Sequence, residues 1–565
     1  MLAFRVLGRE RGGRIAVADL DAAGALVGRE SVNEAALPGV IGATPDVRWV
    51  WSDTAHWYPA VLRAGIRVGR CHDLRLVHAV LQASALVTDA AELRAAVAWD
   101  APSEELAVAA PDTLFELESA PRGVPHGLAD ALAEFDRQRA VLAAAPGSLR
   151  LLSSAESAGA LAAAEMHAAG LPWDAAVHDG ILEKELGPRP PDGALPARMR
   201  DTADRVRAAL DDPQLSLDSQ PRLLRALHRA GILVASTSKW QLAEHDHPAI
   251  EPLLQYKRMA RLLSANGWHW RETWAPDGRF RPVYVPGGVV TGRWASSGGG
   301  ALQMPRGLRP AAHADPGWAF VIADVAQLEP RVLAAMSRDT ALADAARGRD
   351  LYEGITESGV VATRQDAKLA LLGAMYGATS GDGGRLVPSL RRAYPRAMGL
   401  VDAAARAGEE GAVVTTWLGR SSPPPSPRWH ELQARAGAAE ATPQDREHAL
   451  RAARDRGRFT RNFVVQGTAA EWALAWIADL RVRLAGLPEV PETDAALRSG
   501  PVFSRRAHLA FFLHDEIIVH APCVQADAAA DAVRAAAESA THRLFGDVPI
   551  EFPLDLHIRP DAAKG

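Results

Sequence analysis

The stretch Leu509 to Pro522, LAFFLHDEIIVHAP, has the length and side chains of a buried strand or tight hairpin, yet His514, Asp515 and Glu516 stand consecutively in its middle. Burying an unpaired carboxylate costs several kcal/mol, so a fold keeps one inside an apolar strand only where something cationic meets it. A metal ion is one such partner. The stretch GWAFVIADVAQLEPRVLAAMSRD poses the same problem: it reads as a strand over Ala319 to Ile322 that ends on Asp324, followed by a helix whose first turns carry Glu329 and Arg331. Two such strands side by side bring Asp324 and Asp515 to one point. That geometry suits two Mg²⁺ ions a few Å apart, activating an attacking oxygen and stabilising a leaving one in phosphoryl or nucleotidyl transfer. Taken alone, either Asp also reads as a helix cap or a loop ligand.

Between these carboxylates, Arg364, Lys368, Leu372 and Tyr376 are spaced four apart. Each step of four advances a helix by about 400°, so the four form one slowly drifting stripe. Two cations, an apolar residue and an aromatic suit a triphosphate at one end and a stacked base at the other; an ordinary amphipathic helix edge is the alternative. Arg458, Asn462 and Gln466 repeat the spacing within GRFTRNFVVQGTAAEW. Amide side chains beside an Arg can read the minor-groove acceptors that every base pair offers. The Gly-rich, basic segment VVTGRWASSGGGALQMPRGLR reads as a loop built for close approach.

At 565 residues the chain exceeds one simple core and suggests three or four units. No apolar run reaches the roughly 18 residues of a membrane helix, and MLAFRVLGRERGGR is charged where a signal peptide is apolar, so the expected location is cytoplasmic. Cys71 and Cys523 are too few for a disulfide framework and read as small buried residues. A net charge of −5 excludes a globally basic nucleic-acid binder, leaving local clusters at Ser389–Met398 and Arg446–Asn462, each of which also reads as a solvated helix face. Short strand-like runs (RIAVADL, VRWVW) among Ala-rich helices predict a mixed α/β domain over residues 1 to about 150, and residues 200 to 275 read as mainly helical, with Leu253, Leu254, Met259 and Leu262 on one face.

DVAQLEPR (Asp324–Arg331), RQDAKLALLGAMYG (Arg364–Gly377) and HDE (His514–Glu516) resemble, in order and spacing, the three polymerase motifs of family A DNA polymerases, the bacterial DNA polymerase I group. TGRWASS, LQMP and NFVVQGTAAE are similar to further blocks of that family, and the likeness runs over roughly residues 230 to 560. It implies a multidomain α/β protein with a right-hand polymerase over 161–565: thumb about 165–290, palm about 290–345 and 465–565, fingers about 346–460. By the same resemblance, Asp324 and Asp515, with the Val325 carbonyl, hold two Mg²⁺ ions for which Mn²⁺ can substitute. Arg364 and Lys368 meet the triphosphate, Lys368 supplying a proton to the departing pyrophosphate. Gln327, Glu329, Leu372 and Tyr376 line the nucleotide site, with Glu329 filling the space of a ribose 2′-OH. Arg293, Gln303, Arg458, Asn462, Gln466, His514 and Glu516 hold primer-template DNA.

The implied activity is template-directed addition of dNTPs to a primer 3′ end, in repair or replication gap filling, by a nucleoid-associated monomer without a 5′-nuclease domain. A single-subunit RNA polymerase, a non-catalytic primer-template binder and a metal nuclease are the alternatives. The sequence departs from the family where Val325 and Ala326 replace an aromatic and a serine, where Pro330 replaces a Leu and where Leu372 replaces Phe or Tyr.

Residues 1–160, AGIRVGRCHDLRLVHAVL above all, resemble the family's ribonuclease H-like 3′-5′ exonuclease domain. That domain needs about four converging carboxylates for two ions. The alignment puts Trp57 at the second motif's Asp and Ser157 at the third's, leaving Asp19 and Asp21 to imitate the first, so the expected domain is degenerate and without proofreading. Asp53, Asp73 or Glu156 serve as ligands if the register differs.

Overall fold

The computed structural model describes residues 2–106, 123–191, 193–377 and 381–563. Near the N-terminus five strands, Leu2–Arg9, Ile15–Asp21, Leu26–Val32, Arg48–Trp51 and Arg70–Asp73, form one sheet in the order third, second, first, fourth, fifth. The first three pair antiparallel, and the fourth and fifth join parallel to the first. Alternation sorts their side chains onto two faces. Leu7, Ile15, Val17, Trp49 and Trp51 share one core with helix Thr54–Arg63. Val6, Ala16, Ala18 and Val50 share another with helix Leu128–Ala144. A sheet covered on both sides buries Val50 and both tryptophans almost completely.

Helix Gly147–Ala169 is mostly Ala, Ser, Gly and Leu, and its small side chains let it lie against helix Thr54–Arg63 on one side and the 43-residue helix Pro443–Ala485 on the other. Their charged contact is buried. Arg481 of the long helix and Arg67 both meet Glu165, Tyr58 donates its hydroxyl to the same carboxylate at 2.7 Å, and Arg481 also donates to the Val68 and Gly69 carbonyls. Burial alone would raise the Glu165 pKa; the charges of Arg481 and Arg67 reverse that and hold it at about 2. Every polar atom brought out of water here finds a partner, the condition under which a buried ion pair is tolerated.

A second, fully antiparallel sheet runs in the order His508–Leu513, Glu516–Pro522, Trp318–Val325, Leu554–Arg559. The apolar run that opens the sequence analysis is thus a hairpin with its charged residues at the turn. The predicted strand Ala319–Ile322 lies inside Trp318–Val325. Between the two halves of this sheet come helices including Leu328–Ser337, Leu351–Glu357, Arg364–Tyr376 and Pro395–Glu409, then the long helix, opened by a capping box between Thr442 and Asp445 with Pro443 in its first turn. Cys523, expected to be buried, is exposed just beyond the hairpin, whereas Cys71 is buried in the first sheet.

Residues 171–281, 303–315 and 560–565 form a separate compact unit, mostly helical. Its core takes Leu253 and Met259 from helix Ile250–Asn266, with Leu254 and Leu262 packed at its margin, as their spacing predicts. Among the described residues no helix is long and apolar enough to cross a membrane.

The buried ion network yields a stability prediction. Arg481→Ala leaves Glu165 charged without its principal partner and is expected to cost about 3–5 kcal/mol. Arg67→Ala, at the more exposed end, costs less. Thermal or urea unfolding of both variants tests this; equal, small effects would contradict it.

Candidate nucleotidyl-transfer site

Register brings the two carboxylates together. Asp324 pairs with Glu516 across the sheet, and Val325 donates its N–H to the Asp515 carbonyl at 2.9 Å, so the turn carrying Asp515 is tied to the end of the strand carrying Asp324. Among the described residues four non-glycines adopt a left-handed backbone, and two of them flank this point: His514 (φ 58°) shapes the turn and Gln327 (φ 51°) starts helix Leu328–Ser337. Such conformations cost on the order of 1 kcal/mol and persist where surrounding structure enforces them. Burial pushes the Asp515 pKa up to about 6, and the Asp324 charge pushes the same way. A buried carboxylate with a second acid close by offers a donor set suited to a divalent cation. Burial also lowers the His514 pKa, helped by the Arg293 charge.

Beside Asp515 is a cavity of about 190 Å³ whose lining also includes Arg293, Glu329, Tyr352, Leu372 and His514. Glu329 is held at both oxygens: Arg293 donates to one and the Tyr376 hydroxyl to the other, at 2.5 Å. Burial raises the Tyr376 pKa, as do the hydrogen bond to Glu329 and its charge. Pro330 stands in the first helical turn, where a missing N–H forfeits no bond, and Arg331 N–H already closes onto the Gln327 carbonyl at 3.1 Å.

Arg364, Lys368, Leu372 and Tyr376 all lie on helix Arg364–Tyr376. Arg364 donates to Asp350 at 2.7 Å with its guanidinium 5.6 Å from the Tyr352 ring centroid; Lys368 is exposed. Asp350 was not singled out from sequence. It caps helix Leu351–Glu357 and also accepts from the Gln327 side chain at 3.0 Å, joining the strand end to the cationic helix. Its only signal in sequence is an Asp directly before a helix start, which is common. Arg331, in a quoted motif but given no role, is fully buried and donates to the carbonyls of Ala326, Ala346, Arg349 and Glu551.

Arg458, Asn462 and Gln466 share one stripe of helix Pro443–Ala485. Gln466 accepts from the Thr291 hydroxyl at 3.1 Å, Arg458 pairs with Asp455, and Asn462 Oδ1 is buried without a partner. Gln303 is exposed and belongs to the other compact unit. The basic clusters are partly consumed internally: Arg391 and Arg461 both pair with Asp402. Glu516 is buried beside the turn.

In the first sheet, Asp19 pairs with Arg5 at 2.7 Å. Asp53 and Asp73 cap helices Thr54–Arg63 and Leu74–Ala83, Asp53 also pairing with Arg75, and Glu156 pairs with Arg420. Burial and the Asp53 charge raise the Asp73 pKa to about 6. Trp57 is buried, and the Ser157 hydroxyl accepts Asp73 N–H at 3.1 Å while donating to the Ser153 carbonyl.

Comparisons with known proteins give the family. The family model for DNA polymerase family A matches residues 225–558, more than half of the chain, which therefore belongs to DNA polymerase family A. DNA polymerase I of Chloroflexus aurantiacus is 26% identical over 375 residues, covering 62% of this chain and 36% of that protein. The thermostable DNA polymerase I of Thermus filiformis is 26% identical over 330 residues, 55% of this chain and 36% of the relative. The chain thus spans about a third of these relatives' length. The POL domain of Pol1 from M. smegmatis, solved in complex with DNA primer-template and dNTP, shares the fold with a TM-score of 0.68 at 19% identity, over 97% of this chain and 93% of that one.

The raised Asp515 pKa carries a pH prediction. Burial pushes the carboxyl from its ordinary 3.8 up to about 6 when folded, so the folded chain binds the proton more tightly. Without divalent cations, stability falls as pH rises through that window, by roughly 3 kcal/mol. Asp515→Asn should therefore melt higher than wild type at pH 7.5 in EDTA, the gap closing below about pH 4. A less stable variant at pH 7.5 would contradict this.

Proposed function

We propose that this chain is a template-directed DNA polymerase that adds deoxynucleotides to a primer 3′ end, filling gaps in repair or replication. One observation carries the reading: the register of strands Trp318–Val325 and Glu516–Pro522 puts Asp324 beside the Asp515 turn, and a helix bearing Arg364, Lys368 and Tyr376 belongs to the same compact unit. In this reading residues 161–565 are the polymerase, with the separate helical unit supplying the thumb, the antiparallel sheet the palm and the helices around Arg364–Tyr376 the fingers.

Asp324 and Asp515, with the Val325 carbonyl, would hold two Mg²⁺ ions, which Mn²⁺ can replace. When bound, such ions lower the pKa of an attacking hydroxyl and neutralise charge on the leaving oxygen. The chain's own groups do the rest. Arg364 leaves Asp350 for the triphosphate, a charge-for-charge exchange that keeps the guanidinium paired. Lys368, exposed on the same stripe, meets the leaving phosphates and returns a proton to pyrophosphate. Glu329, braced by Arg293 and Tyr376, fills the space of a 2′-OH, which favours deoxyribose over the ribose that an RNA polymerase accepts. Arg458, Asn462 and Gln466 face the minor groove.

Extension of a primed hairpin with each dNTP, with and without Mg²⁺, tests the reading. Asp324→Ala and Asp515→Ala are each expected to lower extension about 10³-fold or more while duplex binding is nearly unchanged. Normal turnover in either variant would sink the assignment.

Residues 1–160 are proposed as a proofreading-type domain that has lost its chemistry. The 3-2-1-4-5 strand order supports a ribonuclease H-like ancestry. Asp19, Asp53 and Glu156 are each paired with an arginine, and Asp73 serves as a helix cap. A primer with a mismatched 3′ end, incubated with Mg²⁺ or Mn²⁺ and no nucleotides, should stay at full length. Shortening that persists in Asp515→Ala would reveal an active nuclease.

A further inference from the structure

The N-terminal domain carries a side-chain group that nucleotidyl transfer does not use. His56 lies on helix Thr54–Arg63, Glu105 follows the segment Val97–Asp100, and His126 precedes helix Leu128–Ala144. Their ligand atoms all fall within 4.8 Å of one another, the one such His/Cys/Asp/Glu group of three found among the described residues. His56 Nδ1 meets the Glu105 carboxylate, and the two imidazoles stack at 3.7 Å with planes 10° apart. Glu105 is exposed and both histidines are partly so, leaving an ion a path from solvent.

We propose that His56, Glu105 and His126 form a site for one Zn²⁺-type divalent cation. Two imidazoles and one carboxylate are donors that suit Zn²⁺ and its transition-metal neighbours, whereas Mg²⁺ prefers an all-oxygen shell. The surroundings prepare one ligand. Ser52 Oγ accepts Trp57 Nε1–H at 2.9 Å and lies 2.6 Å from His126 Nδ1, so its second lone pair can accept the Nδ1–H hydrogen bond and leave Nε2 of His126 to ligate. His56 ligates through Nδ1, the atom already facing Glu105. That moves its proton to Nε2, 3.5 Å from the Arg9 guanidinium; Arg9 is also 3.5 Å from Glu34 and turns to that carboxylate. One imidazole tilts out of the stack so that both lone pairs converge.

The ion would tie together three segments at one end of the first sheet, beside Trp57, whose ring lies 6.3 Å from that of His126. This is a fixing role for a single ion, separate from the carboxylate pair of the polymerase site and independent of whether that site is active.

The full chain carrying Asp324→Asn and Asp515→Asn, which silences the other acidic site, is titrated with Co²⁺ in millimolar Mg²⁺. One equivalent should bind with a visible d–d absorption band and be displaced by Zn²⁺. Adding Glu105→Gln or His126→Ala should weaken binding tenfold or more, and Arg9→Gln should bind at least as tightly. Absence of the band, or a band unchanged in both ligand variants, overturns the proposal. Imidazole ¹H–¹⁵N spectra of the same parent chain guard against misfolded variants: Zn²⁺ must shift the ring resonances of His56 and His126, and unmoved resonances likewise overturn it.

Discussion

Everything at the candidate site depends on one antiparallel register. Opposing Asp324 to Glu516 fixes the Val325 N–H on the Asp515 carbonyl, so the hairpin turn cannot slide relative to the neighbouring strand. A slip of one residue would turn every side chain of Trp318–Val325 to the other face and separate the two carboxylates. The apolar residues on both strands enforce this register: Phe320, Val321, Ile517, Ile518 and Val519 are almost wholly buried, and a shift would expose some of them or bury charge in their place. Hydrophobic burial thus holds two like charges where neither would settle on its own.

Around that point the groups expected to meet substrate are already engaged with one another. Glu329 holds both Arg293 and Tyr376; Asp350 holds both Arg364 and Gln327. These contacts satisfy partly buried polar atoms when nothing else is bound, and the cations among them can exchange one anion for another at little electrostatic cost. In the proposed reading a nucleotide would enter by replacing internal partners, so the same acids that keep the site ordered also set what an incoming triphosphate must outcompete.

In the proposed reading, residues 1–160 keep a fold whose carboxylates have been diverted to structural roles. Asp53 and Asp73 cap helices, Asp19 answers Arg5 and Glu156 answers Arg420. Meanwhile Glu165, Arg67, Arg481 and Tyr58 join this domain to the long helix through a buried, fully partnered network. Losing one member leaves a charge without its counter-ion, which gives the domain a structural reason to remain.

Much of this was legible in the sequence because it was local. The hairpin, the strand ending at Asp324, the two helical stripes and the amphipathic helix Ile250–Asn266 follow from periodicity that a chain of 565 residues carries openly. The charges inside apolar runs marked Asp324 and Asp515 before any contact was known. Hidden were the partners: that Asp350 holds Arg364, that Glu329 is gripped from two sides, that Asp53 and Asp73 are caps, that Cys523 is exposed, and that Gln303 belongs to the other compact unit. Sequence fixes spacing along one chain segment, and hence which side chains share a face. Which distant acid answers which arginine depends on how segments far apart in sequence pack, and only the tertiary structure decides it.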